Sequence, residues 1–139
     1  MLFRSSFDGR FAEQIVPEQL HRLSVSFLVD DLVVRRGGNG ANIAYGLAQL
    51  GLCPILVAAV GPDFDDYRAW LERHGVDCES VHISAEHHTA RFVCTTDEEM
   101  CQIASFYAGA MSEARNIELA PAVERTGAEL VLKIGRAHV

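Results

Sequence analysis

Gly37-Gly38-Asn39-Gly40-Ala41-Asn42-Ile43-Ala44-Tyr45-Gly46-Leu47 leads through Gly51 and Pro54 to the apolar run Ile55-Leu56-Val57-Ala58-Ala59-Val60 and then to Gly61-Pro62-Asp63. A glycine-rich loop that opens a helix presents backbone amides, and the absent Cβ of Gly38 lets a ligand approach the chain. Ile43, Leu47 and Leu50 recur at helical spacing, and Gly51 supplies the stop. The continuous apolar run over 55–60 predicts a strand buried on both faces, as in a parallel sheet covered by helices. Asn42 donates and accepts together, which suits vicinal hydroxyls. The same composition also suits a tight turn with no ligand. A dinucleotide-binding loop fails on spacing, because Ile43 stands where the third glycine belongs.

Downstream, Asp63 reads as an N-cap with Asp66 in the first turn. Phe64, Tyr67 and Leu71 share one face of the helix that follows, and Gly75 ends it. Upstream, Leu23, Val25, Phe27 and Val29 alternate with Ser24, Ser26 and Leu28, which predicts a strand that resumes after Asp30-Asp31 and ends at Val34. Residues 89–95 and 102–107 alternate on either side of Asp97-Glu98-Glu99 and read as a hairpin. A five-residue loop over 97–101 sets Phe92 opposite Phe106, with both rings on one face. Residues 112–125 read as a helix broken near Pro121, and 129–134 as a further buried strand. The predicted class is α/β, a parallel sheet accompanied by a small antiparallel one.

The 139 residues carry a net charge of -7, with 49% apolar and 22% charged residues, the balance of one globular unit. An acidic chain argues against a nucleic-acid or anionic-membrane surface. The one lysine, Lys133, follows no glycine-rich loop, which excludes a P-loop. The longest apolar run, 52–60, is far below the roughly 20 residues of a membrane helix, and residues 1–11 lack the apolar core of a secretory signal. The expected location is the cytoplasm. Cys53, Cys78, Cys94 and Cys101 form no Cys-x-x-Cys pair and read as reduced, buried thiols. His87-His88 point to opposite faces of an extended chain and make a poor chelate, so a surface or hairpin-edge position and no metal site are expected. The acidic runs Asp30-Asp31, 63–66 and 97–99 read as solvated turns and a helix cap.

The order Gly37-Gly38, Gly40, Asn42, Ala44, Gly51 and Gly61 resembles the first signature of the PfkB/ribokinase family of carbohydrate and nucleoside kinases. Gly9-Arg10-Phe11, Ser24-Val25-Ser26-Phe27-Leu28-Val29-Asp30-Asp31-Leu32, Asp65-Asp66-Tyr67-Arg68, His88-Thr89-Ala90-Arg91-Phe92 and Gln102-Ile103-Ala104-Ser105-Phe106-Tyr107 resemble the bacterial adenosine kinases of that family. The resemblance spans about residues 9–133. It implies a Rossmann-like α/β ribokinase fold, present in part as one domain, with a small antiparallel β-sheet lid over the sugar. The lid strands fall at about 23–34, 89–96 and 102–107. The implied reaction is the ATP- and Mg²⁺-dependent transfer of the γ-phosphoryl group to the 5′-hydroxyl of adenosine, and the implied assembly is a homodimer through the lid. By the same resemblance Gly38 and Asn42 hold the ribose hydroxyls, Gly37 shapes the loop, and Ser26 contacts the nucleoside. Phe92 and Phe106 sandwich the purine, and stacking on a base is worth roughly 1–3 kcal/mol.

Two departures from the family bear on activity. The opening strand of the family, with the Asp that grips the sugar, is expected to be missing or replaced in residues 1–8. The Gly-Ala-Gly-Asp motif that carries the catalytic base and anion hole has no match in the sequence, and the ATP and Mg²⁺ sites are expected to lie outside it with that motif. From Ile134 the sequence departs from the family and resembles a translated sequencing adapter, so a truncated frame with a non-native tail at 134–139 is expected. These residues are therefore expected to contribute half a nucleoside site and the lid, and to be inactive alone. Another sugar kinase of the family stays open, because a Gly38/Asn42 site serves many sugars. So does a non-catalytic module that oligomerises through the lid.

Overall fold

The computed structural model describes residues 1–134. The tail expected from position 134 onward falls, except for Ile134, outside the described residues. In chain order the elements are β1 (Leu2–Ser6), α1 (Phe11–Gln14), a 3₁₀ turn (Pro17–Arg22), β2 (Asp31–Arg35), α2 (Asn39–Gln49), β3 (Ala59–Val60), a 3₁₀ turn (Pro62–Phe64), α3 (Asp65–Arg73), β4 (His82–Ile83), β5 (Arg91–Thr96), β6 (Gln102–Tyr107), a 3₁₀ helix (Gly109–Asn116) and α4 (Ala120–Thr126). They form two compact units. One comprises Met1–Arg36 with Arg91–Tyr107, and the other Gly37–Ala90 with residues 108–134.

The first unit is a four-stranded sheet in the order β2-β1-β5-β6. Its outer pairs are antiparallel, whereas β1 and β5 run parallel. The sequence reading placed no strand in residues 1–8, yet β1 is an inner strand. Its own residues carry a weak strand signal, and its state comes from partners on both edges, Leu2 facing Arg35 on one side and Phe92 on the other. The strand expected over 23–34 is confined to Asp31–Arg35. Residues 24–28 alternate in exposure, but the segment 23–29 pairs with no strand. The hairpin agrees with expectation, including the register that sets Phe92 against Phe106. β5 begins at Arg91 rather than at 89, and the amide and hydroxyl of Thr89 are engaged outside the ladder. Its amide donates to Asp63 Oδ1 at 2.8 Å, and its hydroxyl accepts from the Gly61 amide at 3.0 Å.

Asp97 departs furthest from its reading as a solvated turn. It is 4% exposed. Its Oδ1 accepts the amides of Glu99 at 3.0 Å and Cys101 at 2.8 Å, and its Oδ2 accepts the Phe11 amide at 3.0 Å. The hairpin loop is thereby closed from within, and Met100 takes a left-handed φ of 67° to complete it. In the same unit, Phe7, Phe11 and Phe27 form a three-ring cluster with centroids 4.8–5.2 Å apart.

The second unit packs α2 and α3 against β3, which pairs in parallel with β4. The expected strand over 55–60 is reduced to Ala59–Val60 and an isolated bridge between Ile55 and Asp77. Backbone bonds from Leu56 to Asp77 and from His82 to Ala58 keep the two chains side by side where the ladder is interrupted. The expected strand over 129–134 is not formed; Leu130 is 87% exposed and the segment pairs with no described strand. The helix expected over 112–125 is divided as foreseen, with Pro121 in the first turn of α4, where its missing N–H costs nothing.

α3 buries Phe64, Tyr67 and Leu71 as the spacing required. Asp63 is not its N-cap: it lies in the 3₁₀ turn, and Phe64 occupies the cap position without a side-chain bond. α2 buries Ala41 and Ala44, not the Ile43, Leu47 and Leu50 stripe; Leu50 is 79% exposed. Its small residues allow close approach, since a Cβ on Gly75 would lie 3.7 Å from Ala48 Cβ. Tyr45 stacks on Trp70 at 4.7 Å. Gly61 is fixed by packing, because a Cβ there would lie 2.4 Å from the His87 carbonyl oxygen. No helix among the described residues is long and apolar enough to cross a membrane.

The four cysteines, expected to be buried, divide into two classes. Cys78 and Cys94 are buried, whereas Cys53 and Cys101 lie at exposed loop positions. Burial pushes the Cys78 thiol up to about 11, which suppresses the reactive thiolate at neutral pH. Labelling with a thiol reagent under native conditions should therefore modify Cys53 and Cys101 quickly, and Cys78 and Cys94 only as the chain unfolds. Rapid modification of all four would contradict this packing.

Candidate functional site

The glycine loop lies in the second unit. Gly38 has φ 104° and ψ 123°, a backbone state that side-chain-bearing residues rarely adopt, and it is the N-cap of α2. Nothing stands within 4 Å of where its Cβ would be, so the glycine is required by conformation while the space before it is open. No side chain caps this helix start. Its first amides have no carbonyl one turn back to bond, and they form a donor surface. Asn42 is the first residue to close the helix, its amide donating to the Gly38 carbonyl at 2.9 Å, and its side chain is exposed. Gly37 is half-buried at the entry to the loop.

Phe92 and Phe106 lie in the first unit as directly opposed residues of β5 and β6. Side chains two apart share a face, so Phe92 lies on the face of Cys94 and Thr96. Those two are buried, whereas Phe92 is 37% and Phe106 52% exposed. The apolar face thus opens to solvent at the end where the rings stand. Two exposed Phe residues directly opposed across one hairpin leave apolar surface that a flat ligand can cover. Ser26, in the same unit, is exposed within the irregular segment 23–29. Phe92 and Phe106 are thus brought together by the ladder, as are Gly37, Gly38 and Asn42 by the loop and first helical turn.

Some residues carry more structure than their sequence signal indicated. Thr89, Gly61 and Asp63 form a clasp within the second unit, and His88 Nδ1 lies 4.0 Å from Asp63 Oδ2. His82, Ser84 and His87 converge on Glu113. Ser84 Oγ donates to Oε1 at 2.6 Å, His87 Nδ1 to Oε1 at 3.0 Å and His82 Nε2 to Oε2 at 2.8 Å. Of the pair expected at the surface, His88 is exposed and His87 half-buried, and nothing in the sequence pairs His82 or His87 with a residue some thirty positions away. These bonds, that from Ser84 foremost, hold the Glu113 carboxyl below the usual carboxylate range. Among the described residues no group of three or more His, Cys, Asp or Glu is placed to hold a metal ion.

Residues 11–135 match the model of the pfkB family of carbohydrate kinases. A nucleoside kinase of Methanothermobacter thermautotrophicus is 40% identical over 84 residues, which cover 59% of this chain and 27% of that protein. Among solved structures, the nucleoside kinase of Burkholderia thailandensis in complex with inosine is 30% identical, with a TM-score of 0.66 over 83% of this chain and 37% of that one. A ribokinase of Cryptococcus neoformans in complex with ADP is 26% identical, with a TM-score of 0.59 over 78% of this chain and 32% of that one. The chain therefore spans between 27% and 37% of the length of these relatives. The α/β arrangement described above is a partial ribokinase fold.

Two measurements check the geometry. Gly38→Ala should lower unfolding stability by about 1–3 kcal/mol in denaturant titration, because the backbone state is strained for alanine while the space is open. The Glu113 contribution should be present above the carboxyl's unfolded-state pKa and lost as pH falls through its lower folded-state value. Glu113→Gln should remove that part of the acid sensitivity, read as a flatter dependence of the unfolding midpoint on pH below neutrality.

Proposed function

The chain belongs to the pfkB family of carbohydrate kinases, and on that premise we propose that it forms the nucleoside-recognition part of a kinase that phosphorylates the 5′-hydroxyl of adenosine. The observation that carries the purine reading is the Phe92/Phe106 pair: opposed in register, on one face and open to solvent. A base presents two flat apolar faces, and aromatic side chains cover them at roughly 1–3 kcal/mol per base. In this reading the rings take the purine, and Ser26 of the same unit offers a hydroxyl to the nucleoside. Asn42 and the amides of the loop at Gly37 and Gly38 take the ribose hydroxyls. Uncapped amides and a side-chain amide match vicinal hydroxyls because they donate and accept at fixed positions. The complex of a Burkholderia thailandensis nucleoside kinase with inosine, a purine nucleoside, supports the same ligand class.

ATP and Mg²⁺ are implied by the family. Among the described residues no group of three or more His, Cys, Asp or Glu is placed to hold a metal ion. No Gly-Ala-Gly-Asp sequence is present to supply the base. No step through either cofactor is derived from this chain, and we assign it recognition rather than phosphoryl transfer. A cytoplasmic location and a homodimer formed through the lid belong to the same proposal. A broader sugar kinase is the second reading. It is favoured by the glycine loop, whose donors suit any furanose with vicinal hydroxyls.

Calorimetric titration separates the two. Adenosine should bind and ribose should bind at least tenfold more weakly, the difference expected from stacking of the base. Phe92→Ala should weaken adenosine by about tenfold or more and leave ribose unchanged. Equal binding of ribose and adenosine would establish the sugar-kinase reading instead.

A further inference from the structure

We propose that Phe27 is the positioning residue for Ser26, holding it through an aromatic cluster that the buried Asp97 carboxylate secures. The proposal rests on the nucleoside reading only for what Ser26 meets. Residues 23–29 form no strand or helix. Their backbone is tied at the two ends, by Leu23 N–H to the Leu20 carbonyl at 3.4 Å and by Asp30 N–H to the Ser6 carbonyl at 2.9 Å. A second tie at the far end runs from the Asp8 amide to Asp30 Oδ2 at 3.0 Å. Between these ends, Val25 and Phe27 are half-buried, while Ser24, Ser26 and Leu28 are exposed. The segment is thus an extended chain with no ladder, and the Phe27 ring is its inward anchor.

That anchor is specific. Phe27 stacks on Phe7 at 4.8 Å with an interplanar angle of 29°, and meets Phe11 at 5.1 Å and 75°. Phe7 and Phe11 touch at 5.2 Å and are 8% and 7% exposed. Stacked and edge-on contacts at these separations prefer defined geometries, unlike aliphatic packing. Phe11 is held in turn by its amide, which donates to Asp97 Oδ2 at 3.0 Å. Successive side chains of an extended segment point to opposite sides, so a fixed Phe27 ring directs the neighbouring Ser26 hydroxyl outward. Without the ring, the hydroxyl would have to be ordered at the moment of binding, which weakens the complex.

A double-mutant cycle in the chain tests this, with adenosine affinity and amide hydrogen exchange as the two readouts. Ser26→Ala and Phe27→Ala should each weaken adenosine by roughly fivefold to tenfold, the scale of one hydrogen bond. The double variant should be no weaker than the singles, because one acts through the other. Exchange at residues 24–29 should accelerate in Phe27→Ala while the amides of β1, β5 and β6 stay protected. Phe27→Leu should give an intermediate acceleration, and it carries the comparison if the alanine variant does not fold. Losses that multiply in the double variant, unchanged exchange at 24–29, or lost protection throughout the sheet would each overturn the proposal. If the unmodified chain binds no adenosine, the nucleoside reading fails, and the exchange result alone decides whether Phe27 holds the segment.

Discussion

The Asp97 carboxylate organises the first unit. It accepts three backbone amides while almost wholly buried, and a buried carboxylate is tolerated only when its lone pairs are taken in this way. Two of the bonds close the hairpin loop at five residues, and loop length sets the register of the strands that leave it. From that register follows the opposition of Phe92 and Phe106. The third bond reaches Phe11 and so the three-ring cluster. One side chain therefore joins the turn, the strand pairing and the aromatic packing. A slip of one residue would turn every side chain of a strand to the other face.

The second unit depends on close approach at small residues. Gly61 leaves no room for a Cβ beside the His87 carbonyl, and its amide is taken by Thr89. α2 meets its neighbours through Ala41, Ala44 and Ala48, with Tyr45 stacked on Trp70. The larger apolar residues Ile43 of this helix and Leu50 at its C-cap are exposed. Gly38 combines a strained backbone state with open space, and that combination makes the loop suitable for presenting amides rather than for packing.

Several sequence expectations were met because they rest on local rules. The helix after the glycine loop, its stop at Gly51, the Phe64/Tyr67/Leu71 face and the hairpin with its register all follow from periodicity and turn length. Others were not, and the reasons are physical. Residues 23–29 alternate in sequence as a strand does, but they join no ladder, and Phe27 is held by rings instead. Residues 2–6 show little alternation, yet they become an inner strand because partners lie on both sides. The apolar run at 55–60 is mostly irregular, and 129–134 remains exposed.

The sequence by itself determined the family, and it set Gly37, Gly38 and Asn42 at one loop and the helix it opens, and Phe92 and Phe106 in one hairpin. Both depend on short-range chemistry, namely glycine conformations, turn length and period-two alternation. Only the tertiary structure decided that Asp97 is a buried hub, that Asp63 clasps Thr89 rather than capping a helix, and that Glu113 gathers His82, Ser84 and His87. Each of these joins residues some 26 to 86 positions apart. An acidic residue reads the same in sequence whether it is solvated or holds three donors. The difference lies in where the fold places those donors.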